Sequence, residues 1–343
     1  MNKKERIDAV LAGQKPDRTP FALVDGGAWV ALHNNLSYRQ LYGLEDGGAS
    51  RIVEFTNEID TDLISAVSGV FTACLNAFGC PINIDKTGFP VDTGAAFKDP
   101  ESEIPALDKS SIREKLLANE FVNQMLNQCR NVKALVGDEK YLIGDIAAPF
   151  TMASVMVGAQ DFIMLLVEDP DLCEQLIDFT TQICIEMFRL LHENGCDIAL
   201  PAEPVGSGSM ISQSMFEEFA VPALKKVREA LPEYKYFFTH VCGASGNRVS
   251  GLIEAGAQVF SCDYMVDLEK AYADADGKLM FMGNVNPAGS ILSGTPEQVY
   301  EEACRVIRYA DGRGLILGTG CDLASEAPLE NVKMLAKACK DLA

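Results

Sequence analysis

At 343 residues, 48% hydrophobic and 23% charged, the chain has the length and composition of one large α/β domain. A net charge of −20 with no basic stripe to offset it excludes a nucleic-acid partner. No apolar run approaches the roughly 18 residues of a membrane span. The charged start Met1–Arg6 lacks the apolar stretch of a secretory signal, so a cytoplasmic protein without a membrane partner is expected.

In chain order, a first helix is predicted from Lys4 to Leu11, ended by Gly13, and Pro16-Asp17-Arg18-Thr19-Pro20 stops it. Phe21-Ala22-Leu23-Val24 then reads as a buried strand closed by Asp25-Gly26-Gly27. The pattern recurs at Thr61–Ser65, Tyr141–Gly144, Asp197–Pro201, Tyr236–His240, Gln258–Cys262, Leu279–Gly283 and Gly314–Gly318. Most of these are continuous apolar runs, as strands buried on both faces require. Helical patterns lie between them, at Ser111–Val132, Asp161–Asn194, Ser214–Ala230, Val249–Ala255 and Pro296–Asp311. Eight strands alternating with helices point to an α/β fold, a (β/α)8 TIM barrel, as a single domain over 1–343 with an N-terminal helical lead-in. An open doubly wound sheet is the alternative, but no Gly-rich dinucleotide fingerprint follows any strand. Between the second and third strands an excursion is expected. Its Cys80–Pro100 part is rich in Gly, Pro, Asp and Thr and suggests a hairpin around Ile82-Asn83-Ile84.

In a barrel the working residues sit where strands end and loops begin. The polar residues at those places are Asp25, Asp145, Glu203, His240, Cys242, Asp263, Asn284, Asn286 and Cys321. In extended chain, residues two apart face the same way, so His240 and Cys242 can converge while Val241 turns aside. Cys321 follows the last strand in a Gly-rich loop, and in a closed barrel that loop opens onto the same mouth. One imidazole and two thiolates are ligands zinc prefers, with a fourth position left open. The pattern His-x-Cys is common by chance, however, and the odd count of eleven cysteines fits reduced, buried packing residues equally well. The other two histidines, His33 and His192, have no comparable setting and read as surface or partly buried residues.

Several stretches carry a resemblance. They are Arg6-Ile7-x-Ala9-Val10-Leu11-x-Gly13-x-x-Pro16-Asp17-Arg18-x-Pro20, Ala148-Pro149-Phe150-Thr151-x-Ala153-Ser154 with Gly158, and Ile211-Ser212 with Phe216. Gly283-Asn284-Val285-Asn286-Pro287 and Cys321-Asp322 with Pro328-x-Glu330-Asn331 complete the set. Nearly end to end, the chain resembles the uroporphyrinogen decarboxylase superfamily, and within it the zinc-dependent corrinoid methyltransferases that act on coenzyme M. The resemblance implies zinc held by His240, Cys242 and Cys321. It also implies methyl transfer between a corrinoid and a small thiol such as coenzyme M. Decarboxylases of the superfamily carry arginines in the loop after the first strand, whereas Asp25-Gly26-Gly27-Ala28-Trp29-Val30 has none.

Further roles follow as expectations. Glu203 would be a carboxylate ligand displaced by substrate, or a base; Asp263 and Asn284 would line the pocket or orient His240. The corrinoid is expected on a separate protein docking at the barrel mouth. The nearest approach to a corrinoid-binding D-x-H-x-x-G stretch, His192-Glu193-Asn194-Gly195, has Leu190 in place of the Asp. Two alternatives stay open: a zinc demethylase passing a methyl group from an ether or thioether to Co(I) corrinoid, and a metal-free decarboxylase of a porphyrin-like acid.

Overall fold

The computed structural model describes residues 1–24, 26–41, 45, 47–65, 72–83, 91–92 and 94–343. Asp25 and Ile84 lie outside the described residues. In chain order the strands are β1 (Leu63–Ser65), a short antiparallel pair β2 (Ile82–Asn83) and β3 (Val91–Asp92), then β4 (Tyr141–Ala147), β5 (Ile198–Ala202), β6 (Tyr236–Val241), β7 (Val259–Cys262), β8 (Met280–Val285) and β9 (Leu315–Thr319). All except the β2–β3 pair form one parallel sheet in the order β1-β4-β5-β6-β7-β8-β9. The gap between β9 and β1 is filled by residues 20–22. Leu317 donates to Pro20 O at 2.8 Å, Ala22 to Leu317 O at 2.9 Å, and Asp62 to Phe21 O at 2.7 Å. The expected first strand Phe21–Val24 is thus reduced to a single bridge between Phe21 and Leu317. The chain turns into the helix Gly27–His33 too soon for a longer ladder.

The strands are apolar throughout because both their faces are covered. Leu63, Ile143, Leu200, Phe238, Val259, Met282 and Ile316 fill the barrel interior. Their neighbours Leu142, Ala199, Phe237, Phe260, Phe281 and Leu317 pack outward in the cluster shared with the helices. The lead-in helix Lys3–Leu11, capped by Asn2 and Glu5, sends Ile7 and Val10 into that interior cluster. It therefore plugs the end of the barrel where the strands begin. Its Asp8 accepts from the hydroxyl of Tyr141 at 2.8 Å and from that of Tyr236, the first residues of β4 and β6.

The helices depart from expectation where local chemistry stops them. The predicted helix Asp161–Asn194 is two helices, Ala159–Glu168 and Pro170–Glu193. Asp169 caps the second by accepting from Leu172 N, and Pro170 removes the amide that continuation would need. Ser111–Val132 likewise divides at Asn119, whose extended backbone and side chain cap Glu120–Val136. Within Ser214–Ala230, residues Phe216–Ala220 form a π-turn. Among the described residues no single helix is long and apolar enough to cross a membrane.

Candidate metal centre

β6 carries His240 and Cys242 to the mouth. Along the strand, Phe238 points into the barrel, so His240 two residues on points the same way, now at the rim where the apolar layer ends. His240 is paired in register with Ser261 of β7, and its Nδ1 lies 3.0 Å from both the carbonyl oxygen and the hydroxyl of Ser261. With Nδ1–H donated to that carbonyl, Nε2 carries the free lone pair. It faces Cys242 Sγ at 3.1 Å, and Cys321 Sγ lies 3.6 Å from Cys242 Sγ and 4.0 Å from Nε2. The three donor atoms lie within 4.8 Å of one another, and theirs is the one such His, Cys, Asp or Glu cluster among the described residues.

Two features of the backbone make this possible. Gly243, at φ +67, turns the chain directly after Cys242, and a Cβ there would meet Ser207 Oγ at 2.7 Å and Ser209 Oγ at 2.9 Å. Gly320, before Cys321, packs so closely on Tyr264 that a Cβ would lie 2.3 Å from its amide nitrogen. Glycines therefore let the β6 and β9 loops close on the site without side chains in the way.

The thiols are strongly inequivalent. The hydrogen bond from Cys242 holds the Cys321 thiol down at about 4, burial opposes this, and contact with His240 adds to the lowering. Cys242 is pushed far up by its bond to Cys321 and by burial, with the carboxylates of Asp263 and Asp145 adding to the shift. The remaining nine cysteines are all buried and behave as packing residues, and burial pushes up the thiols of Cys173, Cys184 and Cys262 among them.

The other strand-end residues fall elsewhere around the mouth. Glu203 is fully buried; its amide donates to His240 O at 2.7 Å, while its carboxyl accepts from the Thr151 hydroxyl and from Phe150 N at 3.3 Å. Burial pushes that carboxyl up to about 8, against the pull of the Thr151 and Phe150 donors. Asp263 is buried and accepts from Met265 N at 2.9 Å. Asn284 donates to the carbonyls of Asp263 and Val266 at 3.2 and 3.0 Å. Asn286 caps the turn after β8 by accepting from Ala288 and Gly289 amides. Nothing in the pattern around Ser261 marks it as the partner of His240; only the register of β6 against β7 does. His33 bonds to Ala327 O and His192 to Cys196 O, both away from the cluster.

Known proteins resemble this arrangement at two levels. The fold is shared with a methyltransferase from Methanosarcina mazei, at a TM-score of 0.83 and 23% identity over 99% of both chains. In sequence the chain is 27% identical to methylcobamide:CoM methyltransferase MtbA of Methanosarcina mazei, over 98% of this chain and 97% of that one. It is 26% identical to methylcobamide:CoM methyltransferase MtaA of Methanosarcina barkeri, over 98% and 96%. Likeness to uroporphyrinogen decarboxylase of Synechococcus sp. is shorter, 25% identity over 65% of this chain. The family model described as uroporphyrinogen decarboxylase (URO-D) matches residues 2–342 and so takes in the floor helix, every strand of the barrel and all three converging donors. This chain is a member of the URO-D family.

Proposed function

We propose that this chain is a zinc-dependent methyltransferase that moves a methyl group between a corrinoid on a separate protein and a small thiol such as coenzyme M. The observation that carries the reading is the convergence of His240 Nε2, Cys242 Sγ and Cys321 Sγ at the barrel mouth. The donor set fits zinc: one imidazole nitrogen with its lone pair directed at the thiols, and two sulfurs, one of which already favours the thiolate. Bound there, zinc would supply a Lewis acid that lowers the pKa of a substrate thiol and keeps it nucleophilic toward a methyl group.

The chain's own residues do the rest. The Ser261 carbonyl fixes the His240 tautomer and ring plane. Cys242 would hold the metal as a thiolate, its proton released on binding. Glu203, tied through its amide to the His240 carbonyl, keeps its carboxyl protonated at neutral pH and is the group we assign to proton handling beside the cluster. Asp263 and Asn284, buried at the ends of β7 and β8, are assigned to the pocket wall. Methyltransferase relatives that align over nearly the whole chain support this activity over decarboxylation. The loop after residues 20–22 also carries no arginine in Gly26–Val30. The reverse direction, demethylation of a thioether, is favoured by one relative, the methylated-thiol–coenzyme M methyltransferase of Methanosarcina mazei, 26% identical over 81% of this chain.

The test is metal content together with methyl transfer. Protein purified without added metal is expected to hold about one zinc per chain and to consume free methylcobalamin in the presence of a thiol. Absence of zinc after reconstitution would sink the reading. Turnover only from methyl thioether to Co(I) cobalamin would select the reverse direction.

A further inference from the structure

Arg248 is fully buried, six residues beyond Cys242 on the same loop, and among the described residues it makes no ion pair, Glu217 acting on it only from longer range. Its guanidinium is instead committed to backbone. Nε donates to Gly206 O at 2.9 Å and Nη2 to Ile211 O at 2.8 Å, while the plane lies 4.8 Å from the ring centroid of Phe216 in the π-turn. Nη1 is buried without a hydrogen-bond partner among the described residues. A buried cation held by two carbonyls and one aromatic face is an expensive way to fill space, which an apolar side chain of similar size would do better.

What the two carbonyls have in common is the segment between them. Gly206–Ile211 lies against the backbone that follows Cys242. Ala244 N donates to Ser209 Oγ at 3.3 Å, and Gly208 approaches Ala244 O so closely that a Cβ would sit 2.2 Å from it. Ser207 and Ser209 also close over Gly243. One side chain from the Cys242 loop therefore grips both ends of the segment that presses on that loop. We infer that Arg248 is a positioning residue for the metal centre: by clamping Gly206 and Ile211 it fixes the loop against which the Gly243 turn, and hence Cys242 Sγ, is held. This rests on reading His240, Cys242 and Cys321 as a metal centre. A planar fork is needed for the two carbonyls, which a lysine ammonium spans poorly.

Metal-free protein titrated with Co2+, followed by thiolate absorbance in competition with a chelator, measures the effect. Arg248→Met is expected to weaken binding by about ten- to a hundredfold, the range of a lost supporting contact to a metal ligand, with Arg248→Lys in between. Amide hydrogen exchange in metal-free Arg248→Met should rise across Gly206–Ile211. Thr180→Val, another buried loss far along the chain, is the control and should leave affinity unchanged. Wild-type affinity and exchange in Arg248→Met overturn the clamp, as does an equal loss of affinity in Thr180→Val. Should Arg248→Met fail to fold, wild-type affinity in Arg248→Lys overturns it instead. A wild-type chain that takes up no cobalt overturns the metal centre itself, a result distinct from cobalt binding that Arg248 does not influence.

Discussion

The two ends of the barrel treat charge in opposite ways. At the floor the acids around the closing segment are matched by cations. Asp62, fully buried, takes Arg6 Nη1 at 2.5 Å, Arg18 Nη1 at 2.9 Å and the Phe21 amide at 2.8 Å. Asp17 pairs with Arg6 at 2.7 Å, and Asp60 with Lys3 and Lys340, both at 2.9 Å. At the mouth, His240, Cys242 and Cys321 form the one such donor cluster among the described residues, and Glu203, whose amide bonds the His240 carbonyl, holds its buried carboxyl on hydroxyl and amide donors. Paired charges at the floor saturate one another and hold the closing segment 20–22 in place. The donors at the mouth bond chiefly to one another and are the set proposed above to take a metal, so the two ends divide between closing the barrel and the proposed chemistry.

The largest effect that would break this contrast is at the mouth. Cys321→Ala removes one of the three converging donors and is expected to lower methyl transfer by at least about a thousandfold and zinc well below one per chain. Urea unfolding should stay near wild type, and retained activity would exclude Cys321 from the chemistry. At the floor the pattern inverts. Asp62→Ala strands two arginines around an emptied site and should cost about 3–5 kcal/mol in urea unfolding, while zinc content per folded chain is unchanged. Loss of zinc in that variant at full folding would show the two ends to be coupled.

The smallest effect concerns acid. Burial raises the Asp60 carboxyl, but hydrogen bonds and charge from Lys3 and Lys340 outweigh it and bring the group down to about 2. Its folded-state pKa lies below the unfolded 3.8, so its contribution is present above about pH 4 and fades as pH falls toward 2. Asp60→Asn should therefore flatten the acid limb of the stability profile between those values and shift melting by only a few degrees at neutral pH. An unchanged acid limb would mean the pairs with Lys3 and Lys340 contribute nothing.

The opening motif shows how sequence and structure divide the work. Arg6, Asp17 and Arg18 stand out as a family pattern in the chain, yet their task is visible only with Asp62 between them, 56 residues from Arg6. Thr151 is similar: it belongs to a recognisable stretch, and its hydroxyl turns out to reach Glu203. The helix breaks at Asp169-Pro170 and Asn119 were within reach of local rules, since a capping side chain stands at each.

Local and periodic features were legible in the chain. Apolar runs marked most of the strands because each is buried on two faces, and period two put His240 and Cys242 on one side of β6. The lead-in helix was visible as Lys4–Leu11 for the same kind of reason. Which distant groups meet emerged with the folded barrel. Closure through residues 20–22 brings β9 round so that Cys321 reaches Cys242 across 79 positions of chain. Strand register, not spacing, gives His240 to Ser261, and a buried guanidinium ties the β5 loop to the loop of Cys242. Periodicity fixes which way a side chain points. What it points at depends on contacts between segments far apart in sequence, and those form only when the barrel closes.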